Sequence, residues 1–209
     1  MKFLVILLLF ILPIFAFGQH SGHEQPPVET RKATLETGLG NVEHPVSTKN
    51  AEAQKFFNQG LAYIYAFNHE EAIKSFKRAG ELDPNLAMAF WGASLALGSN
   101  YNLQADANQL KEAYALLQKA QQLAPKATDI ERAYIAALSK RYSSDPNADR
   151  QKLAQDYKTA MGELVKKYPD DLDAATLYAE SMMNLRPWQL WSLDGKPAEG
   201  TLEMVDVSE

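Results

Sequence analysis

With 209 residues, the chain is long enough for one domain or a short array of repeats. Its 21 basic residues against 26 acidic ones give a net charge of −5 and leave no basic patch, which argues against nucleic acid or an anionic membrane surface as a partner. Cysteine is absent, so disulfides and lipid attachment through an N-terminal cysteine are excluded, and the folded part rests on packing.

The chain opens with one cation, Lys2, and an uncharged apolar run from Phe3 to Phe17 that Pro13 interrupts. The run is shorter than the ~20 residues a membrane-spanning helix needs. Ala16-Phe17-Gly18 places small residues where a signal peptidase reads them. Residues 1–18 are therefore expected to be a signal peptide cleaved after Gly18. The mature chain is then periplasmic or secreted, with no stable membrane insertion; an uncleaved anchor is the alternative. Residues 19–46 are polar and carry Pro26-Pro27, Gly38 and Gly40. Too little apolar surface is present to offset ordering, so this stretch reads as a flexible linker. His20, His23 and Glu24 lie within it, but two flexible imidazoles do not make a metal site, and none is expected.

Residues 47–209 read as a helical repeat domain. From Asn50 to Asn85, Phe56, Gly60 and Tyr63 follow i, i+4, i+7 spacing, one stripe of a helix. Ala72, Phe76 and Ala79 repeat that spacing after a break near Asn68-His69. Small Gly60 and Ala72 permit close helix approach, with the aromatics filling the groove between. Asp83 is expected to cap the next helix and Pro84 to occupy its first turn. This stretch resembles a tetratricopeptide repeat, a ~34-residue helix–turn–helix unit. The resemblance implies an all-α solenoid of about four helix pairs.

The third helix is expected from Leu86 to Leu97, ended by Gly98-Ser99-Asn100, with a long Asn-rich loop after it. Its partner, from about Gln109 to Leu123, carries the stripe Ala113, Leu117, Ala120 and closes at Pro125. Thr128 and Glu131 form a capping box for a helix reaching about Tyr142. Tyr157, Met161 and Leu164 mark the next helix, ended by Pro169, and Asp170 and Asp173 are expected to cap a seventh. The closing prolines Pro84, Pro125 and Pro169 stand further apart than the ~34-residue consensus, so the second and third units are elongated. Arg186-Pro187-Trp188-Gln189-Leu190-Trp191 is a proline-bounded aromatic loop, followed by an Asp194-Gly195 turn and an eighth helix expected from Pro197. No closing proline follows, and the chain is expected to stop inside a repeat.

The strings His44 to Ala72, Pro84 to Gly92 and Leu185 to Trp191 are similar to a family of exported bacterial tetratricopeptide repeat proteins without established activity. The resemblance implies further repeats beyond the end of this chain, and it supplies no catalytic residues.

Motifs for catalysis are missing from the sequence. His69-Glu70-Glu71 lacks the second histidine of a zinc pair, and neither a Gly-x-Ser-x-Gly elbow nor a phosphate-binding glycine loop occurs. No catalytic residue and no cofactor is expected. Binding remains, of a protein or peptide in the concave groove that the first helices of successive pairs line. Phe57, Leu61, Ile64 and Tyr65 lie off the packing stripe and are the candidate groove residues; the alternative is that they pack against the N-terminal linker or the next repeat. In chaperone-binding repeats a lysine and an asparagine flank the signature glycine. Here those places hold Phe57 and Leu61, which favours an apolar or extended peptide. Trp188 and Trp191, with Arg186 beside them, form a second candidate anchor, unless the loop folds into the superhelix interior. A groove near Trp188 and His69 holding a small ligand or substrate is the alternative reading, and an inactive fragment of a longer repeat protein a third.

Overall fold

The computed structural model describes residues 32–208. The expected signal peptide and the His20–His23 stretch lie outside the described residues. Eight α-helices follow one another: α1 Ala51–Tyr65, α2 His69–Leu82, α3 Ala87–Leu97, α4 Ala107–Leu123, α5 Asp129–Leu138, α6 Arg150–Lys167, α7 Leu172–Met183 and α8 Thr201–Ser208. Each helix packs on the next along α1 to α5 and again along α5 to α8, so the pairs α1/α2, α3/α4, α5/α6 and α7/α8 stack in order. Among the described residues no strand forms. The architecture is the all-helical solenoid that the repeat spacing predicts.

Short polar residues start most of these helices. Asn50, Asp106, Asp149 and Asp171 each accept from free backbone N–H groups in the first turn that follows, which helix geometry leaves without partners. Thr128 and Glu131 form the expected reciprocal capping box. Two capping assignments are corrected. Asp83 ends α2 instead of starting α3; its carboxylate accepts from Asn85 N at 3.0 Å and from the Thr48 hydroxyl at 2.6 Å. Pro84 lies in the connecting turn, and α3 begins after Leu86 with no side-chain cap. Asp171 caps α7, which frees Asp173 for another role.

The close approach expected at Gly60 is made, and made twice. A Cβ on Gly60 would lie 2.6 Å from the Phe76 ring, and one on Gly92 of α3 would lie 2.5 Å from it. The fully buried Phe76 ring is thus held between two glycine backbones, those of α1 and α3. Phe56, Tyr63, Ala72 and Ala79 are buried beside it, as are Ala113, Leu117 and Ala120 on α4. Ten of the eleven residues of α3 are buried, the pattern of a helix enclosed on all sides. Its polar groups are satisfied inside: Ser94 donates to Ala113 O at 2.8 Å, and Tyr142 donates to Ser94 O at 2.7 Å.

The turn joining α1 to α2 places Phe67 at φ 57°. Asn68 N donates to Tyr63 O and Phe67 N to Ile64 O, the paired bonds that close a helix through a left-handed residue. After α7 the aromatic loop stays on the surface. Trp188 is 73% and Trp191 52% exposed, so neither fills the superhelix interior. Pro197 does not open the last helix either. It pairs with Trp191 across the Ser192–Lys196 turn, and α8 starts at Thr201, whose hydroxyl donates to Leu190 O.

Candidate binding face and the segment that lies on it

From Lys32 onward the expected linker is not free. Residues 32–50 form an extended strap held by side chains of α1, α5 and α7. Ala33, Leu39, Val42 and Val46 contribute its apolar contacts with the core. Gln59 binds both backbone groups of one stretch, donating to Thr34 O and accepting from Glu36 N, each at 2.8 Å. Gln54 repeats the arrangement one turn earlier, donating to His44 O at 2.8 Å and accepting from Val46 N at 2.9 Å. Asn58 accepts from His44 N at 3.4 Å. On α5, Glu131 accepts from Ser47 N at 2.7 Å with one oxygen, while its other oxygen completes the Thr128 capping box. Four amide or carboxylate side chains therefore read the strap by its main chain, as a neighbouring strand does in a sheet.

His44 marks the deepest point of the strap. It is 9% exposed, 5.8 Å from the Phe57 ring centroid and 5.6 Å from that of Tyr134, edge-on. Its Nδ1 lies 2.6 Å from Asp173 Oδ2 on α7. The hydroxyl of Tyr65 donates to the other Asp173 oxygen, and Tyr134 donates to Asp171 at 2.9 Å. Burial raises the pKa of both tyrosines, and the adjacent carboxylates raise it further, so each stays a hydroxyl donor. For Asp173 burial pushes the carboxyl up, but the hydrogen bonds from His44 and Tyr65 outweigh it and hold the carboxyl below its ordinary range. Glu131 behaves the same way: burial raises it, and the donors from Ser47 and Thr128 bring it below.

One ligand atom each of His44, Asp171 and Asp173 lies within 4.8 Å of the others, a separation that suits a divalent cation. The same atoms are engaged by His44, Tyr65 and Tyr134 inside the protein, so a cation has to displace those bonds.

The sequence-derived candidates fall in two separate places. Phe57, Leu61 and Ile64 are buried, and Phe57 packs against Phe76 at 5.4 Å between ring centroids and against His44 of the strap. Tyr65 is half-buried and bonded to Asp173. On the far loop, Trp188 lies 5.0 Å from the Tyr101 ring centroid and Arg186 pairs with Glu199 at 2.9 Å. His69 has Phe67 as its ring neighbour. The sequence does not single out Gln54, Asn58 or Gln59, and it marks Glu131 only as a capping residue of α5. Three amide side chains at i, i+4 and i+5 of α1 are the signal that marks the first three.

Stacked antiparallel helix pairs with a peptide-bearing inner face define the class of helical repeat solenoids. The comparison with known families agrees: residues 53–86, from within α1 to Leu86 before α3, match the tetratricopeptide repeat family. No curated protein and no solved structure matches the chain. Repeats of this kind are ordinarily non-enzymatic scaffolds for protein partners. Among the described residues no helix is long and apolar enough to cross a membrane.

Proposed function

We propose that the protein is an exported scaffold that binds a protein or peptide partner on its concave face. The partner segment lies extended where residues 43–50 lie. The observation that carries this reading is the doubled main-chain grip of Gln54 on the first pair, joined by Glu131 on the third. A groove that holds its own strap through backbone groups accepts other extended chains with little regard to sequence. The exposed Trp188 and Trp191 supply a second contact for a partner that extends beyond the groove.

The test uses the full chain with a weakened strap. Ser47→Pro removes the N–H given to Glu131, and His44→Ala removes the bond to Asp173. A fluorescein-labelled peptide of residues 41–50 should bind this variant in an anisotropy titration and bind the wild type far more weakly. Adding Gln54→Ala should abolish binding. Failure of the weakened variant to take up the peptide would remove the groove as a binding site. Export is tested separately by intact mass: a mature chain beginning at Gln19 is expected, and recovery of the full precursor in the membrane fraction would restore the anchor alternative.

A further inference from the structure

The length of strap that lies on the groove alternates as a strand does. Val42, His44, Val46 and Thr48 are buried or half-buried, while Asn41, Glu43, Pro45, Ser47 and Lys49 are exposed. Val42 and Val46 pack on the core, and the Thr48 hydroxyl donates to Asp83 at 2.6 Å. The grip on the backbone uses the N–H groups of His44, Val46 and Ser47, so Pro45 falls at the one place between them where no donor is needed. A proline there also biases the residue before it, His44, to the extended form. Main-chain bonds hold any extended segment, and the inward side chains are what a groove of this kind selects.

His44 occupies the most demanding of these inward positions. Its side chain enters a pocket walled by the Phe57 and Tyr134 rings and floored by Asp171 and Asp173 at the start of α7. One oxygen of each carboxylate lies within 4.8 Å of the other and of the imidazole. Like charges that close repel unless a positive group stands beside them. Tyr65 and Tyr134 bring neutral hydroxyls. Among the described residues no lysine or arginine pairs with Asp171, Asp173 or Glu131, and the basic group beside them is the imidazole of His44. Glu131, which holds the strap three positions further on, adds a third carboxylate to this face. Asp173 keeps 22% of its side chain exposed even under the strap, so it is open to a segment that takes the strap's place.

Resting on the peptide-binding reading above, the geometry points to a basic partner. Its extended segment places a histidine, lysine or arginine where His44 lies, with apolar side chains two residues away on either side. The cationic N–H donates to Asp173 Oδ2, and the side chain lies between the Phe57 and Tyr134 rings.

Fluorescein-labelled peptides of residues 41–50, carrying His, Lys, Arg, Gln or Glu at position 44, are titrated by anisotropy into the full-length Ser47→Pro/His44→Ala protein. The titration is run at about pH 6, where a histidine in a free peptide is mostly protonated. The three basic peptides should each bind about tenfold or more tightly than the Gln peptide, the effect of one charge-assisted hydrogen bond, and the Glu peptide should bind weakest. Interchanging His44 and Val46 in the peptide keeps its composition and should remove the advantage. Asp173→Asn in the protein should bring the basic peptides down to the Gln level; the peptide arms leave the pocket intact and decide the question if that variant does not fold. One affinity for all five peptides refutes the basic preference and leaves the groove as a peptide site, whereas no binding by any of them removes the groove itself. An advantage confined to histidine, or one that survives the interchange, also overturns the proposal.

Discussion

Replacing Gly60 with alanine sets helix propensity against packing at the one contact where both can be weighed. The added Cβ would lie 2.6 Å from Phe76 Cε1 and 2.7 Å from Cδ1 and Cζ, against roughly 3.5–4.0 Å for a relaxed carbon contact. Relief requires a shift of about 1 Å. The ring cannot supply it, because Phe76 is fully buried and the Gly92 backbone closes its other face as tightly. Alanine gains about 1 kcal/mol of helix propensity over glycine. Overpacking costs about 1–3 kcal/mol, and a ring boxed in on both sides belongs at the upper end. The net expectation is a loss of about 1–2 kcal/mol, a fall in Tm of roughly 2–8 °C for a domain of this size. Thermal and urea unfolding followed by circular dichroism measures it. Gly80→Ala serves as the control, since its nearest neighbour is Phe90 at an ordinary 3.5 Å, and it should leave stability unchanged or raised. Combining Gly60→Ala with Phe76→Leu should recover part of the loss, a coupling of about 1 kcal/mol. A Gly60→Ala protein melting at or above wild type would refute the two-sided confinement of the ring.

Phe67 holds a left-handed conformation that costs an L-residue roughly 1–2 kcal/mol, so Phe67→Gly should raise the urea midpoint despite the loss of a 47% exposed ring; a lower midpoint would show that the ring packs usefully on His69. Gln59→Leu should cost about 1–3 kcal/mol and speed amide exchange at Glu36, since it removes the buried bonds to Thr34, Glu36 and Ser75; unchanged exchange would mean the strap is held elsewhere. Asp173 and Glu131 have folded-state pKa values below the ordinary carboxyl values of 3.8 and 4.5, so the stability they confer is complete above about pH 5 and is lost as pH falls through the lowered folded values. Urea unfolding from about pH 6 down to pH 3 should therefore show a steep acid loss that Asp173→Asn and Glu131→Gln each make shallower; identical slopes in all three proteins would sink the assignment.

The helical repeat was legible because its information is local. Phe56, Gly60, Tyr63, Ala72, Phe76 and Ala79 meet partners on the same or the adjoining helix, so spacing alone places them. The Thr128–Glu131 capping box is equally local. The strap was not legible, because Glu131 meets Ser47 and Asp173 meets His44 across most of the chain, and the strap carries no periodicity to announce it. Polar composition implied freedom, whereas glutamine side chains supply the hydrogen bonds that a low-hydrophobicity segment cannot make with itself. Phe57 and Leu61 lie off the packing stripe, the position that spacing alone assigns to a groove. A helix covered by α2, α3 and the strap has little free face, so they are core. Pro197 matched a helix start by type, but the pairing with Trp191 claimed it first.

A stack of helix pairs normally resembles a row of tiles, each sharing strain only with the next, so that the ends can peel while the middle holds. The strap alters that by running from before the first pair to Glu131 and Asp173, across 84 and 129 positions of sequence. It acts as a drawstring. Pulling α7 away from the stack also pulls His44 off Phe57, so damage at one end is felt at the other. Loop closure over such distances slows folding, since those contacts form only after the intervening chain is ordered. Once drawn, the string makes α1 to α7 open together, and amide exchange across these helices should report one shared opening in place of a gradient from end to centre.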